Sequence, residues 1–195
     1  MGRSCVYKLK AMTALGGTKP RVDVFAGVKI SENPDRALVS VSARQGHETV
    51  CRERARAFLG VDLPAPARAA SSEGFGVLWI GPDAWMVEAD HTRHELLASE
   101  IKTAVADAGS VVEQTDGWCR FEVEGSKVCD LFERLCNVDV QAMLGDAVVR
   151  TSIHHVGCYL WCREAGAAFT VMGPRSSAAS LHHALIESAG VVSLD

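Results

Sequence analysis

Residues 75–90 read FGVLWIGPDAWMVEAD, two apolar runs broken by Gly81-Pro82-Asp83. The first run, FGVLWIG, is apolar at both parities, the pattern of a central strand covered on both faces. Gly-Pro-Asp is turn chemistry, because proline presets φ while glycine and aspartate tolerate the bend around it. AWMVEAD then returns as a second strand, so the stretch predicts a hairpin, and its flanks decide which fold carries it.

Upstream, ALVSVSAR at 37–44 alternates as a strand does. HETVCRERARAFLG at 47–60 sets Cys51, Ala55, Phe58 and Leu59 on one helical stripe, with Gly60 as the stop. VDLPAPARAASSEG, 61–74, is too punctuated for regular structure and reads as a linker. Downstream, Thr92 and Glu95 have capping-box spacing, Leu97, Ile101, Ala104, Val105 and Ala108 recur at helical period, and Gly109 ends the run. SVVEQ, 110–114, adds a strand before a TDG turn. The order is β-α-β-β-α-β, the split βαβ or ferredoxin-like unit.

The second half repeats the order. WCRFEVEG (118–125) is a strand with Cys119, Phe121 and Val123 on one face, and SKVCDLFERLC (126–136) is a helix with Val128, Leu131, Phe132 and Leu135 as its stripe. AVVRTSIHHV and GAAFTVMG read as strands, SSAASLHHALIESAG as the closing helix and VVSL (191–194) as the closing strand. The chain is therefore expected to be α+β, two fused ferredoxin-like β-α-β-β-α-β units over 36–115 and 116–195, their sheets joined or packed. Residues 1–35 carry little periodicity and are expected to form a loosely structured arm with one short strand near Arg21 to Phe25.

At 195 residues, 48% hydrophobic and 23% charged, the composition is that of a globular chain with a real core. Twenty basic against 24 acidic residues give a net charge of -4, with no basic cluster between aromatics, which argues against nucleic acid as a partner. No apolar run is long enough for a membrane helix and the start lacks a signal-peptide pattern, so a cytoplasmic protein without membrane contact is expected.

The densest group of potential ligands is HHVGCYLWC, 154–162. In an extended chain His154, Val156, Cys158, Leu160 and Cys162 share one face and Ile153, His155, Gly157, Tyr159 and Trp161 the other, with Gly157 marking a turn or bulge. The histidines then diverge, and Cys158 and Cys162 read as small buried hydrophobes among Val and Leu. A metal or thiol centre here is the alternative. The seven cysteines (5, 51, 119, 129, 136, 158 and 162) contain no CxxC pair. Cys51, Cys129 and Cys136 fall on helix seams, His182 and His183 on a solvated or partner-facing helix edge, and Glu122 with Glu124 on a solvated strand face. No phosphate loop, dinucleotide fingerprint or nucleophile motif is present, so no catalytic, cofactor-binding or metal residue is assigned. Trp79, Trp85, Trp118 and Trp161 all fall on strands, where each taken alone reads as core packing, while Trp118 beside Arg120 has the make-up of an interface and the group as a whole favours a binding protein.

The runs SVSARQGHETVCRERARAFLGVDLP, GVLWIGPDAWMVEAD, GWCRFEVEGSKVCDLFERLCNVDV and AAFTVMGPRSSAASLHHALIESAG stand in one order over residues 36 to 190. With Arg44 and Gly46, Leu63-Pro64, Trp79 to Asp83 with Trp85, and Pro174-Arg175-Ser176, that order resembles the gamma subunits of heterotetrameric sarcosine oxidases. That family is similar to a shortened folate-dependent aminomethyltransferase, and EGSKVCDLFERLCNVDV looks like those proteins' strand-helix segment. The resemblance implies an aminomethyltransferase-like fold and a bacterial complex that oxidatively demethylates sarcosine to glycine and transfers the one-carbon unit to tetrahydrofolate. It also implies FAD, FMN, NAD and tetrahydrofolate on partner subunits, none on this chain, and alpha, beta and delta partners, chiefly alpha. Gamma chains of N-methylglutamate or dimethylglycine dehydrogenases, or a folate-binding one-carbon protein in its own right, are the alternatives.

Overall fold

The computed structural model describes residues 10–194. Its elements run β1 (Val22–Phe25), β2 (Val28–Glu32), β3 (Arg36–Ala43), α1 (Glu48–Leu59), β4 (Ala69–Ser71), β5 (Phe75–Gly81), β6 (Ala84–Asp90), α2 (Leu97–Val105) and β7 (Gly109–Glu113). β8 (Trp118–Glu124), α3 (Val128–Leu135), β9 (Val148–Ile153), β10 (Val156–Glu164), β11 (Ala168–Pro174) and α4 (Ala178–Val192) follow. The strands form two antiparallel sheets, β4-β5-β6-β3-β7 and β1-β2-β8-β11-β10-β9. The 75–90 hairpin is β5 and β6, turned through Asp83 at φ 48, and Gly60 closes α1 in the left-handed conformation at φ 68.

The two sheets are built alike: β4-β5-β6-β3-β7 matches β9-β10-β11-β8-β2 position for position. The last place in the second sheet is therefore held by β2, out of the N-terminal segment, and this corrects two expectations. The arm is not loose where it is described. VKISE alternates, burying Val28 and Ile30, and Ile30 lies opposite Val123 of β8; β1, the expected short strand, pairs outside β2. The part of the arm before residue 10 lies outside the described residues. The VVSL strand does not form, because Val192 continues the buried stripe of Leu181, Leu185 and Ala189 and keeps the chain helical.

Smaller departures have local causes. α2 starts at Leu97 without a side-chain cap, since the Thr92 hydroxyl donates to the Asp90 carboxylate instead of to a helix terminus. The helix ends at Val105, and Gly109 opens β7 rather than stopping α2. The 61–74 linker contains β4, and that corner ties the sheets together: Ala69 N donates to Asp146 O at 2.7 Å and Val148 N to Ala67 O at 3.0 Å.

Each sheet has one face under helices and the other against its partner sheet, giving helix, sheet, sheet, helix layers. α1 and α2 cover Val39, Val41, Val77, Trp85 and Val87; α3 and α4 cover Phe121, Val123, Leu160, Phe169 and Val171. Between the sheets Leu38, Leu78 and Met86 meet Tyr159, Trp161 and Met172. At about 1.5–3 kcal/mol for each large apolar side chain removed from water, these three clusters hold the molecule together. The Leu63-Pro64 and Trp85 pieces meet here: the Trp85 indole N–H donates to Pro64 O at 2.9 Å, and Arg52 lies over its ring.

Candidate functional site

HHVGCYLWC is a hairpin arm. His154 and His155, at φ 48 and 67, are the two turn residues between Ile153 and Val156, the left-handed pair a two-residue hairpin requires. Both are exposed at the tip rather than on opposite faces of a strand, and Gly157 lies within β10 rather than at a turn. Beyond the tip the alternation stands: Cys158, Leu160 and Cys162 enter the helix-side core, Tyr159 and Trp161 the layer between sheets. Ile153 joins Cys158 instead of Tyr159, because it sits directly across the turn from Val156. Burial pushes the Cys158 thiol up to about 12 and raises that of Cys162. Native labelling with a thiol reagent is expected to leave both unmodified after the more exposed Cys136 has reacted, as read by mass spectrometry of peptides.

The other histidines and cysteines singled out in the sequence are scattered. Among the described residues no group of three or more His, Cys, Asp or Glu side chains is placed to hold a metal ion. His182 is not on a solvated edge. It is buried, its Nε2 lies 2.7 Å from an Asp23 carboxylate oxygen of β1, and its ring packs on Phe121. Of the pair on α4, His183 is the exposed one. Cys129 is buried in the α3 seam and Cys136 partly so.

The polar chemistry sits where the sheets meet near β2, β6, β8 and β11. Parity turns Glu88 of β6 inward beside Met86, and Arg120 of β8 inward from the opposite sheet; they are 1% and 6% exposed. Arg120 Nη1 donates to Glu88 Oε2 and Arg36 Nη2 to Glu88 Oε1 at 3.2 Å. Arg120 Nε also donates to Glu122 Oε1 at 2.7 Å, and the Thr170 hydroxyl donates to Glu122 Oε2 at 2.6 Å. Gly76 makes room for this group, since a Cβ there would lie 2.8 Å from Glu88 Cγ. Arg163 closes the layer with its guanidinium 3.7 Å from the Trp161 ring.

This corrects the reading of Glu122 as solvated; Glu124 alone of that pair is exposed. Arg120, a candidate interface residue beside Trp118, is consumed by the contact between this chain's own sheets. Burial on its own would push the Glu122 carboxyl up, but Arg120, the Thr170 hydroxyl and Arg163 outweigh it and hold the group below the usual glutamate range. Its stabilising contribution is present above the unfolded value, about 4.3, and is lost as pH falls through the lower folded value. Urea unfolding at stepped pH is expected to show an acid limb that Glu122→Gln flattens. A carboxylate held ionised by guanidinium groups, as that of Glu122 is, is a poor proton donor at neutral pH and suits fixing the sheets rather than acid catalysis.

Beside it lies a crevice of about 590 Å3, between the segment before β1, the β2–β3 link and the start of β8. Trp118, Arg36, Arg120, Arg175 and His91 are on its wall. Trp118 packs on Tyr159, and Arg175 is tied to Met12 O at 2.7 Å. Glu88, Arg36 and Thr170 were missed from sequence because no motif joins them. The usable signal was Glu88, a charge at the inward parity of an otherwise apolar strand.

No family model matches the sequence, and no curated protein matches it. Solved structures do. A chain of the heterotetrameric sarcosine oxidase from Corynebacterium sp. U-96, in complex with pyrrole 2-carboxylate, is 21% identical and superposes with a TM-score of 0.77 over 88% of each chain. The glycine cleavage system aminomethyltransferase T from Bartonella henselae is 12% identical, with a TM-score of 0.61 over 83% of this chain. The chain spans only 46% of that transferase. The fold is thus α+β and aminomethyltransferase-like, with two antiparallel sheets and four α-helices among the described residues.

Proposed function

We propose that this chain is a non-catalytic, gamma-type subunit of a bacterial heterotetrameric sarcosine oxidase, in which it supplies shaped surface rather than reactive groups. The observation that carries the reading is the likeness in fold to a chain of such a heterotetramer over 88% of both chains. The complex would demethylate sarcosine to glycine oxidatively and pass the one-carbon unit to tetrahydrofolate. FAD, FMN, NAD and folate would sit on the alpha, beta and delta subunits, and alpha would be the main contact. The inter-sheet polar groups support the reading, because Glu88, Arg120, Glu122 and Thr170 are spent on one another.

A second reading, a folate-linked one-carbon protein acting alone, draws on the 590 Å3 crevice, where Trp118 and arginine side chains share one wall. Titration calorimetry of the isolated chain with tetrahydrofolate separates the two. The subunit reading predicts no heat of binding at micromolar concentrations and no amine oxidation by the chain alone; micromolar affinity would favour the second reading.

A further inference from the structure

The inter-sheet network does not balance its own charge. Arg36, Arg120 and Arg163 bring three guanidinium groups to it, and Glu88 and Glu122 bring two carboxylates. All four carboxylate oxygens are taken. Glu88 Oε1 accepts from Arg36 and Oε2 from Arg120, while Glu122 Oε1 accepts from Arg120 and Asn33 and Oε2 from Thr170. Arg163 rests on the Trp161 ring and makes no hydrogen bond or ion pair among the described residues.

The chain sets the aim of that side chain. Cys162 pairs with Phe169 and Glu164 with Ala168, so Arg163 is the extra residue of a β-bulge, a device that turns one side chain out of the regular alternation. The guanidinium carbon lies 3.7 Å from the centre of the Trp161 ring, which holds the plane of the fork. Trp161 is fully buried between the sheets, and this fixes the platform.

Two cavities, of about 390 and 240 Å3, border this group, and both have Arg36, Glu88 and Arg163 on their walls. Arg36 faces the space from the other sheet. Its Nη2 is tied to Glu88, but its Nε–H is buried and has no acceptor. The inner excess of one positive charge calls for one negative charge, and guanidinium forks match the two coplanar oxygens of a carboxylate. Glu73, Asp90 and Glu124 on the outer walls oppose a doubly charged phosphate.

We infer that this opening between the sheets binds a small monocarboxylate, held by the Arg163 fork with Arg36 as the second cation. Glycine and sarcosine, the product and substrate under the subunit reading, both belong to that class. The site stands on this chain's own residues, so it holds with or without that reading.

The test titrates sodium acetate into the full chain at constant ionic strength and follows the arginine Nε–H signals by NMR. Those of Arg36 and Arg163 are expected to shift and saturate with a dissociation constant of about 1–10 mM, in proportion to a ligand of four heavy atoms. Arg163→Gln is expected to weaken binding about tenfold or more, and Arg163→Lys, which keeps the charge and loses the fork, about threefold or more. Arg163 is exposed and bonds to no other side chain, so both variants keep the fold. Arg56→Gln, which removes an exposed charge on α1, leaves binding unchanged. Signals of Arg36 and Arg163 that stay in place, or move no more than that of Arg56, overturn the inference, as does tighter binding of inorganic phosphate than of acetate. The remaining arm co-expresses the chain with the flavin-bearing subunits encoded beside it. Loss of co-purification in Arg163→Gln, with acetate displacing the wild-type chain, would assign the carboxylate to a partner's side chain and overturn the small-ligand site while leaving the subunit reading standing.

Discussion

Arg120→Ala is expected to lower the free energy of unfolding by about 3–5 kcal/mol, the usual cost of removing one partner from a buried ion pair. The magnitude follows from what stays behind. Glu88 is 1% exposed and would keep only Arg36, while Glu122 would keep the Thr170 hydroxyl and Asn33. Glu88 cannot reach bulk water without parting the sheets, while Glu122 is 21% exposed, so the loss rests mainly on Glu88 and exceeds that of an exposed pair, about 0–1 kcal/mol. Lys29→Ala, which breaks the surface pair with Glu124, is the matched control. Urea unfolding followed by circular dichroism checks both. Equal, small effects would mean that the inter-sheet network is solvated.

Gly125→Ala is expected to cost about 2–6 kcal/mol, combining strain at a backbone angle open to glycine with overpacking against atoms that cannot yield. Gly125 has φ +134, and a Cβ there would lie 2.2 Å from the Gly27 carbonyl oxygen. That oxygen belongs to the turn joining β1 and β2, so the substitution pushes the N-terminal hairpin away from β8. Gly166→Ala, at φ +71 with nothing within 4 Å of the added atom, carries the strain alone and is expected to cost about 1 kcal/mol. Thermal unfolding gives the magnitudes. Limited proteolysis is expected to cut the Gly125 variant within the hairpin first, and an uncut hairpin would show that β2 is not the element displaced.

Sequence legibility tracked how local each interaction is. β5 and β6 were readable as short continuous apolar runs on either side of a Gly-Pro-Asp turn, β8 by the alternation of Cys119, Phe121 and Val123, and α3 by its helical stripe, all signals held within the element itself. β2 was not, since five residues from a weakly patterned arm become a strand only by meeting β8 some 90 positions later. VVSL failed in the opposite sense: two β-branched residues favour a strand locally, but the stripe of α4 overrides them. Thr92 and Glu95 show that motif spacing without its hydrogen bond is not a cap.

The polar network was hidden for the same reason as β2. Glu122 has strand parity that suits solvent or an inter-sheet layer equally well, and the choice is made by the second sheet laid over it. Glu88 and Arg120 lie on different sheets and share no motif. His182 looked exposed because β1, which brings Asp23 to it, was read as part of a loose arm. The burial of Cys158 and Cys162, by contrast, followed from their parity with Leu160.

The subunit reading is tested most directly by the native mass of the assembly that contains this chain when it is purified from its own cells, with the visible absorbance of the same fraction. The account predicts a multi-subunit particle several times the 20.9 kDa of the chain, carrying flavin absorbance. A stable, colourless monomer without flavin-bearing partners would contradict it.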